Sequence, residues 1–426
     1  MSQNELYVSL DIGSSSVKVL IGEMNDDTLH VIGVGNVKSN GIRKGAIVDI
    51  DATVQSIKKA VDQAERMIGM SIRDVVLGIP ANQVLLQQVK GVVAVNSENR
   101  EITDDDLDRV INSAQVMSIP PERELVNLVP KQFIVDHLDE IKDPRGMIGI
   151  RLEMDGLMVT TSKTILHNIL RCVERAGLEV REIYLQPLAA GYFALSDDEK
   201  NHGTAFIDIG GGSTTIAVFE EGHMTKTAVI PVGGDHITKD LSIVLKTTTE
   251  QAEKIKHQFG HAFYDDASDD ELFEVPVIGV DTKEQYSQRY ISEIIGVRLE
   301  ELFELILDEF YRMGIQDIPG GVVLTGGSSK LEGIAPLARH ILQTRVRLYT
   351  PDYIGVREPQ YATSTGLIRY AHAQDEFFGK DSGQALEPIP VAAASASKKP
   401  KTQSKNQQDR EGVMDKAKKF FDKFFE

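Results

Sequence analysis

The sequence predicts a mixed α/β fold of two lobes, with an inserted α+β module and a flexible C-terminal tether that ends in an amphipathic helix. Three observations support this prediction. Two similar runs of short strands begin near residues 6 and 204. A segment with a different pattern of strands and helices interrupts the first lobe at 84–162. The apolar periodicity of a folded domain ends near residue 380. At roughly 150 residues per domain, a chain of 426 residues can form two or three compact units.

Composition and charge exclude several classes of protein. The chain holds 64 acidic and 46 basic residues, a net charge of −18, whereas nucleic-acid binders present basic surfaces, so we expect no nucleic-acid partner. The one cysteine, Cys172, cannot form an intramolecular disulfide, and its helical spacing from Ile165 and Ile169 predicts a buried, inert thiol. The sequence shows no secretory signal and no apolar run of about 18 residues, so we expect a cytosolic body.

The first lobe is predicted to begin with a strand meander over residues 5–35, where short apolar runs alternate with turns of Gly, Ser and Asn-Asp. A helix follows, for which we expect Asp51 as the N-cap and Gly69 as the stop. The inserted module combines strand-like segments with a helix that opens on a capping box of Thr103 and Asp106.

The rest of the chain alternates helices and strands up to a linker. We predict helices at 163–176, 187–195, 235–246, 249–259, 290–313 and 334–342, and strands at 75–79, 89–95, 131–135, 148–160, 179–185, 204–209, 214–219, 225–230 and 321–325. Residues 381–410 are rich in Ser, Ala, Pro, Lys and Gln. They have too few large apolar side chains to offset the entropy of ordering, so we expect a flexible linker.

Two glycine-rich turns repeat one pattern and give the strongest functional signal. At residues 11–16 and again at 208–215, a strand runs into an Asp, an apolar residue, a Gly and small polar residues. Gly and Ser allow such a turn to lie against phosphate oxygens, which backbone N–H groups and hydroxyls then bind. The Asp beside them can hold a hydrated Mg²⁺. We expect the two loops to face each other across a cleft.

A single Asp-x-Gly turn carries little information, because turns use these residues everywhere. A third glycine turn at 325–328 follows another predicted strand, so three glycine hairpins without a ligand are the weaker alternative. The sequence contains neither a GxGxxG that opens a helix after a strand nor a GxxxxGK[ST] loop, which excludes the two commonest nucleotide-binding patterns.

The glycine turns resemble those of the actin-like ATPase superfamily, which includes actin, the Hsp70 nucleotide domain, sugar kinases, MreB and FtsA. The resemblance covers about residues 1–80 and 163–375, and it implies an actin-like two-lobed ATPase fold that binds ATP and Mg²⁺. Asp11 and Asp208 would hold the metal through water. The other implied nucleotide contacts are Gly13, Ser14, Ser15, Ser16, Lys18, Gly210, Gly211, Gly212, Ser213, Thr214, Glu253, Lys256, Gly326, Gly327 and Ser328.

Two further parts of the resemblance concern adenosine and catalysis. Glu253 and Lys256, at i and i+3 of one helix, resemble the family's ribose and adenine contacts, and a solvated ion pair is the alternative. Gln186, which precedes the helix opened by Pro187, resembles the residue that orients the attacking water. A Gln orients water but is a poor base, so we expect at most slow ATP hydrolysis and mainly a structural, adaptor role.

The last residues, 411–426, have an amphipathic pattern. An apolar stripe at helical spacing comprises Val413, Met414, Ala417, Phe420, Phe421, Phe424 and Phe425, and Lys416, Lys419 and Lys423 flank it. Residues 398–426 carry eight Lys and one Arg against five acids, which favours an anionic lipid surface. We predict a helix that lies in the membrane interface; docking on the protein's own core or in a partner's groove are the alternatives.

The actin-like core, the inserted module and the terminal helix together resemble the FtsA family of bacterial division proteins. The resemblance divides the chain into subdomain IA at 1–83 and 163–195, the inserted subdomain 1C at 84–162, IIA at 196–230 and 321–380, IIB at 231–320, a linker at 381–410 and a membrane-targeting helix at 411–426.

Partners and location are also implied by this resemblance. FtsA proteins form actin-like polymers on anionic lipid at the cytoplasmic face of the bacterial membrane, where they anchor the ring of tubulin-like FtsZ at the division site. Subdomain 1C would contact other division proteins, and the FtsZ C-terminal peptide would dock on IIB, where Arg289 and Arg298 suit an acidic peptide. A soluble phosphotransferase of the sugar-kinase type and a non-hydrolysing, partner-binding pseudo-ATPase are the alternatives.

Overall fold

The computed structural model describes residues 5–43, 45–116 and 119–379 and the backbone of 387–388, and two five-stranded sheets define its two lobes. The strands are β1 (Glu5–Ile12), β2 (Ser16–Asn25), β3 (Thr28–Lys38), β4 (Ile42–Arg43), β5 (Ala46–Ile47), β6 (Met70–Ser71), β7 (Asp74–Ile79), β8 (Leu85–Ala94), β9 (Arg123–Val135), β10 (Leu138–Ile141), β11 (Arg151–Ser162), β12 (Glu179–Leu185), β13 (Thr204–Ile209), β14 (Thr214–Glu220), β15 (His223–Ile230), β16 (Leu272–Pro276), β17 (Lys283–Ser287), β18 (Gly321–Thr325), β19 (Val346–Leu348) and β20 (Glu387–Pro388). The helices are α1 (Ile50–Ile68), α2 (Asp104–Gln115), α3 (Lys163–Ala176), α4 (Gln186–Ala194), α5 (Asp197–His202), α6 (Gly234–Val244), α7 (Thr249–Phe259), α8 (Gln288–Arg312), α9 (Ile334–Leu342) and α10 (Ala362–Phe378).

The two large sheets have the same topology. The first has the order β12-β7-β1-β2-β3 and the second the order β19-β18-β13-β14-β15. In each, the first strand of the lobe pairs antiparallel with the next strand and parallel with a later one. The internal repeat predicted from the glycine turns is therefore a repeat of whole half-sheets, and both glycine turns join equivalent strands.

Helix α1 covers the first sheet with the face that carries Val54, Ile57 and Ala60, all buried. Gly69 ends it with a φ of 70°, as predicted. The expected N-cap, Asp51, is wrong. Asp49 is extended and its carboxylate accepts the N–H of Ala52 at 3.0 Å, so the helix begins at Ile50 and Asp51 falls in its first turn.

Two helices, α4 and α10, lie between the lobes. Helix α4 packs on β13 and β14 of the second sheet, whereas α10 packs on β1, β2 and β7 of the first. The two helices touch where a Cβ on Gly366 would come within 2.6 Å of the Cα of Ala190. The range 321–380, predicted to belong to the second lobe, includes α10, whose Leu367 and Ile368 lie in a buried cluster with residues of both large sheets, so this boundary stays a prediction.

The inserted module is an antiparallel sheet of order β10-β9-β11-β8, covered by α2. Its capping box is confirmed, because the N–H of Thr103 donates to the carboxylate of Asp106 at 3.0 Å. Strand β9 begins eight residues before the predicted 131, and the sequence analysis missed β10 altogether. Phe377 of α10 stacks on Phe133 of this module, with ring centroids 6.3 Å apart.

Helices α6, α7 and α8 and the hairpin β16–β17 form a smaller unit beside the second sheet; the sequence analysis missed the hairpin. Cys172 is buried in the first lobe, as predicted, and burial raises the pKa of its thiol. Among the described residues, no helix combines the length and the apolar character that crossing a membrane requires.

Candidate functional site

A cavity of about 690 Å³ lies between the lobes, at the carboxyl ends of β1, β13 and β18. Because β13 and β18 run parallel, their ends bring the second and third glycine turns to one edge of their sheet, and the first turn lines the same cavity from the other lobe. Every residue predicted to bind nucleotide lines this cavity except Thr214, and Gln186 lines it as well. The sequence prediction that the turns face each other across a cleft is confirmed.

Thr214 is a correction to the predicted site. Its side chain is buried, and its hydroxyl donates to the carbonyl oxygen of Val232 at 2.8 Å. Side chains alternate along a strand, so the next residue of β14, Thr215, points into the cavity instead. Thr214 supports the loop from behind.

The two phosphate-type loops approach so closely that only glycine fits at the contact. A Cβ on Gly211 would lie 1.8 Å from the Oγ of Ser15, and one on Gly212 would lie 2.8 Å from the Cβ of Ser14. Both turns are closed by the same hydrogen bond: Gly13 N donates to the Ser16 carbonyl, and Gly210 N to that of Ser213, each at 3.0 Å.

Two carboxylates, one from each lobe, meet at the base of the cavity. The ammonium of Lys18 lies 3.3 Å from Asp11, because the two residues are cross-strand partners in the β1–β2 hairpin. Burial of Asp208, together with the neighbouring charge of Asp11, raises the pKa of Asp208 to about 6. Thr363 at the start of α10 donates to the same carboxylate at 3.4 Å.

This donor set fits Mg²⁺, which prefers carboxylate, phosphate and water oxygens. Within the described residues there is no cluster of three or more His, Cys, Asp or Glu side chains, so the protein by itself offers only part of a metal shell. Waters and phosphate oxygens would complete the shell. A cation here would also relieve the repulsion between Asp11 and Asp208.

Gln186 begins α4 and reaches the same carboxylate pair. Its side-chain amide donates to Asp11 at 2.8 Å and to the carbonyl of Gly78 at 3.4 Å. These two bonds fix the amide and leave its carbonyl oxygen available to accept from water. The predicted role in orienting water is untested and stays a prediction.

Glu253 and Lys256 reach the cavity from α7, but the solvated ion pair considered above is wrong. The Lys256 ammonium is buried and donates to the Gly234 carbonyl at 3.1 Å, to Thr238 at 2.8 Å and to Glu253 at 2.7 Å. Burial by itself raises the pKa of Glu253, but hydrogen bonds from His257, Lys256 and Thr238 outweigh it and lower the pKa to about 2. The pair therefore fastens α7 to α6, and a ribose or adenine contact stays a prediction.

The third glycine turn is tied to the second. Gly326 has a φ of 91°, and a Cβ there would lie 2.1 Å from Asp208. The hydroxyl of Ser328 donates to the Gly210 carbonyl at 3.0 Å. The third turn is thus connected by its backbone packing and a hydrogen bond to the second turn, which is predicted to hold phosphate.

Asp235 and Thr363 are cavity residues that the sequence analysis missed. Asp235 lies in the first turn of α6, and the hydroxyl of Ser15 donates to its carboxylate at 3.1 Å across the cleft. The only sequence signal for Asp235 is its position after Gly233-Gly234, before an amphipathic helix. A lone Asp in a first turn is ordinary helix chemistry, so that signal is weak.

A second concave surface, of about 440 Å³, lies on the smaller unit of the second lobe; we call it the α6–α8 groove. It is lined by Asp240, Ile243, Val244, Glu293, Ile294, Val297, Arg298 and Glu301. Ile243 and Val297 are 64% and 63% exposed. Arg298 donates to Asp240 at 2.6 Å and also pairs with Glu301. Arg289 lies outside this lining and pairs with Asp269 and with Glu293.

The predicted membrane-targeting residues lie outside the described part of the chain. This applies to the whole of 411–426 and, apart from the backbone of 387–388, to the predicted linker at 381–410. Their assignment stays a prediction from sequence.

The fold defines a class of protein, the two-lobed actin-like ATPase fold. A solved PilM–PilN type IV pilus biogenesis complex has a chain that matches with a TM-score of 0.58 and 16% identity, covering 85% of this chain and 97% of that chain. MreB5 of Spiroplasma citri bound to ADP matches with a TM-score of 0.54 and 14% identity, covering 87% of this chain and 98% of the MreB5 chain. At such identities the similarity concerns the fold.

Sequence relatives specify the family. The profile of the family described as cell division protein FtsA matches residues 205–366, and that of the SHS2 domain inserted in FtsA matches 81–160. Cell division protein FtsA of Bacillus subtilis (strain 168) is 52% identical over the whole of both chains. The Enterococcus hirae relative is 45% identical over 89% of this chain and 86% of its own. The chain belongs to the FtsA family of cell division proteins.

Proposed function

We propose that the protein binds ATP with Mg²⁺ between its lobes and polymerises as an actin-like filament that anchors FtsZ to the cytoplasmic face of the cell membrane at the division site. The observation that carries this proposal is the single cavity lined by glycine turns from both lobes. A ligand that both lobes hold can set the angle between them, which is what a polymerisation switch requires.

Each group in the cavity has a role in this proposal. The serine hydroxyls and N–H groups of the two turns bind phosphate, and Lys18 offsets its charge. Asp11 and Asp208 hold Mg²⁺ through water, and the bound metal supplies charge neutralisation. Gln186 orients a water molecule without acting as a strong base, so turnover is at most slow.

The α6–α8 groove supports the proposed docking of the FtsZ C-terminal peptide. Its exposed aliphatic side chains offer apolar contact area, and Arg298 can exchange Asp240 or Glu301 for an acidic group of the peptide. Arg289 contributes only through Glu293, so we expect a smaller part for it. On the inserted module, the exposed Ile148 and Ile150 offer a separate surface for other division proteins.

The amphipathic pattern at 411–426 supports attachment to anionic membrane lipid. Partial immersion of four phenylalanines, less the cost of ordering a helix, leaves about 3–6 kcal/mol, comparable to one lipid chain. An anchor this weak holds firmly only when many copies act together, which is a reason for the protein to polymerise.

The variant Gly211→Val tests the nucleotide site. Its Cβ would lie 1.8 Å from the Oγ of Ser15, so the loops could not close on a phosphate. We expect at least about a tenfold loss of affinity for a fluorescent ATP analogue with Mg²⁺, measured by equilibrium titration. The control is Gly279→Val, which strains a turn of φ 85° in open space outside the cavity lining and should bind nucleotide normally. Equal binding by both variants would show that nucleotide binds elsewhere, and no binding by wild type would refute the proposal.

A further inference from the structure

Helix α6 connects the interlobe cavity with the α6–α8 groove. Asp235 in its first turn lines the cavity, whereas Asp240, Ile243 and Val244 toward its other end line the groove. At 1.5 Å per residue the helix is about 16 Å long, so one rigid element reaches both places. A change imposed on its first turn can therefore reach the groove without passing through another element.

The start of α6 is fixed to the second glycine turn. Gly234 N donates to the Gly210 carbonyl at 3.0 Å, and Asp235 N donates to that of Gly211 at 2.8 Å. A Cβ on Gly233 would lie 2.5 Å from the Gly210 oxygen, which shows how tightly the two backbones are packed. Any movement of the second turn is thus a movement of α6.

Asp235 also bridges to the other lobe. The Oγ of Ser15 lies 3.1 and 3.3 Å from the two carboxylate oxygens of Asp235. A serine hydroxyl carries one proton, so Ser15 cannot donate fully to this carboxylate and to a phosphate at the same time. Two anions that share one hydroxyl lie within two hydrogen-bond lengths, about 6 Å, and repel each other.

The far end of α6 is coupled to Arg298 on α8. Arg298 donates to Asp240 at 2.6 Å and pairs with Glu301 on its own helix, so it is shared between the two walls of the groove. A shift of α6 changes this sharing directly. The charge that the groove presents to an acidic peptide then changes with it.

We propose that Asp235 is a positioning residue that distinguishes a nucleoside triphosphate from a diphosphate, and that α6 carries this distinction to the α6–α8 groove. A terminal phosphate accepts the hydrogen bond from the Ser15 hydroxyl and repels Asp235, whereas a diphosphate leaves the bridge between the lobes intact. This inference rests on the proposed nucleotide binding in the same cavity and adds the means by which nucleotide state reaches the peptide groove.

Affinities for ATP and ADP, each with Mg²⁺, test the first half. Asp235→Asn keeps the size and a hydrogen-bonding side chain but removes the charge. We expect the ratio of ATP to ADP affinity to rise about tenfold, since the charge at this distance is partly screened by water. The matched control is Asp198→Asn, an exposed Asp in the first turn of α5, which should leave the ratio unchanged. Asp235→Ser serves as a second variant without the charge, should Asp235→Asn prove poorly folded.

Hydrogen exchange tests the second half. With wild type, peptides covering 239–245 and 297–301 should exchange differently in saturating ATPγS and in ADP, and in Asp235→Asn that difference should disappear. An unchanged affinity ratio together with an unchanged exchange difference in Asp235→Asn would overturn this inference while leaving nucleotide binding in place. Failure of wild type to bind either nucleotide would instead refute the proposed function and the inference with it.

Discussion

The role of Lys256 depends on its burial and its partners, which sequence spacing does not reveal. Sequence spacing placed it beside Glu253 but could not show that its side chain is only 5% exposed and that its ammonium holds two helices together. The same limit explains Thr214 and Thr215. The turn was predicted correctly, but which threonine faces the cavity depends on the strand register, which pairs Thr214 with Ile209 and Thr215 with Asp208.

At the residue scale, Glu253→Gln should make the protein less stable at neutral pH. The folded pKa of Glu253, about 2, lies below its unfolded value, so its contribution is present above about pH 4.5 and is lost as the pH falls toward 2. At pH 7 the variant leaves a buried ammonium without its anion. Because Glu253 is 39% exposed, water screens part of the interaction. We therefore expect the free energy of unfolding, measured with urea, to fall by about 1–2 kcal/mol.

The control for this prediction lies on the same helix. Glu250 pairs with Lys254 at 2.8 Å on an exposed face, where solvent screens the pair, so Glu250→Gln should lower the stability much less than Glu253→Gln. The difference in the free energy of unfolding between Glu253→Gln and wild type should be smaller at pH 3 than at pH 7. A difference in unfolding free energy that does not change with pH would mean that the carboxylate is not the stabilising group.

At the scale of elements, the sequence predicted best where periodicity is strong and ends are marked. Helices α3, α7 and α9 have the predicted bounds, since Gly177 and Gly260 mark the ends of α3 and α7 and each helix has a buried apolar face. Among the elements that the sequence did not predict, β10 and the β16–β17 hairpin are short and rich in charge. They form because a neighbouring strand offers hydrogen bonds, which no local pattern reveals.

At this scale, Gly366→Ala tests the contact of α10 with α4. Helix propensity alone would make Ala stabilising by about 1 kcal/mol, but the added Cβ would lie 2.6 Å from the Ala190 Cα and 2.8 Å from the Ala189 carbonyl oxygen. Backbone atoms cannot move aside cheaply, so we expect a net loss of about 1–3 kcal/mol in thermal unfolding.

Gly296→Ala in α8 is the matched comparison for this substitution. Its nearest obstacle is a ring carbon of Tyr264 at 2.9 Å, on a side chain that can rotate, so the loss should be smaller. A stabilised Gly366→Ala would show that α4 and α10 are not in close contact.

At the scale of the whole molecule, α10 connects parts that the sequence shows only separately. Its first residues reach Asp208 through Thr363, its middle packs on the first sheet, and its end enters the inserted module. There Arg145 donates to the Phe377 carbonyl and stacks on its ring, with 5.0 Å from the guanidinium carbon to the ring centroid. Only the tertiary structure shows that α10 holds the module to the body.

At the scale of the whole molecule, Phe420→Glu should abolish the proposed attachment to the membrane. A carboxylate in the apolar stripe would have to enter the membrane boundary, so we expect the variant to stay with the soluble fraction in flotation with anionic liposomes. Asp422→Ser, on the polar side of the same pattern, should float like wild type. Because we expect one tail to bind lipid only marginally, flotation of wild type should rise steeply with protein concentration in ATP, and Gly211→Val, whose tail is intact, should float less. Equal flotation of Phe420→Glu and wild type would show that the tail is not the anchor, and equal flotation of Gly211→Val would show that attachment does not depend on nucleotide-driven assembly.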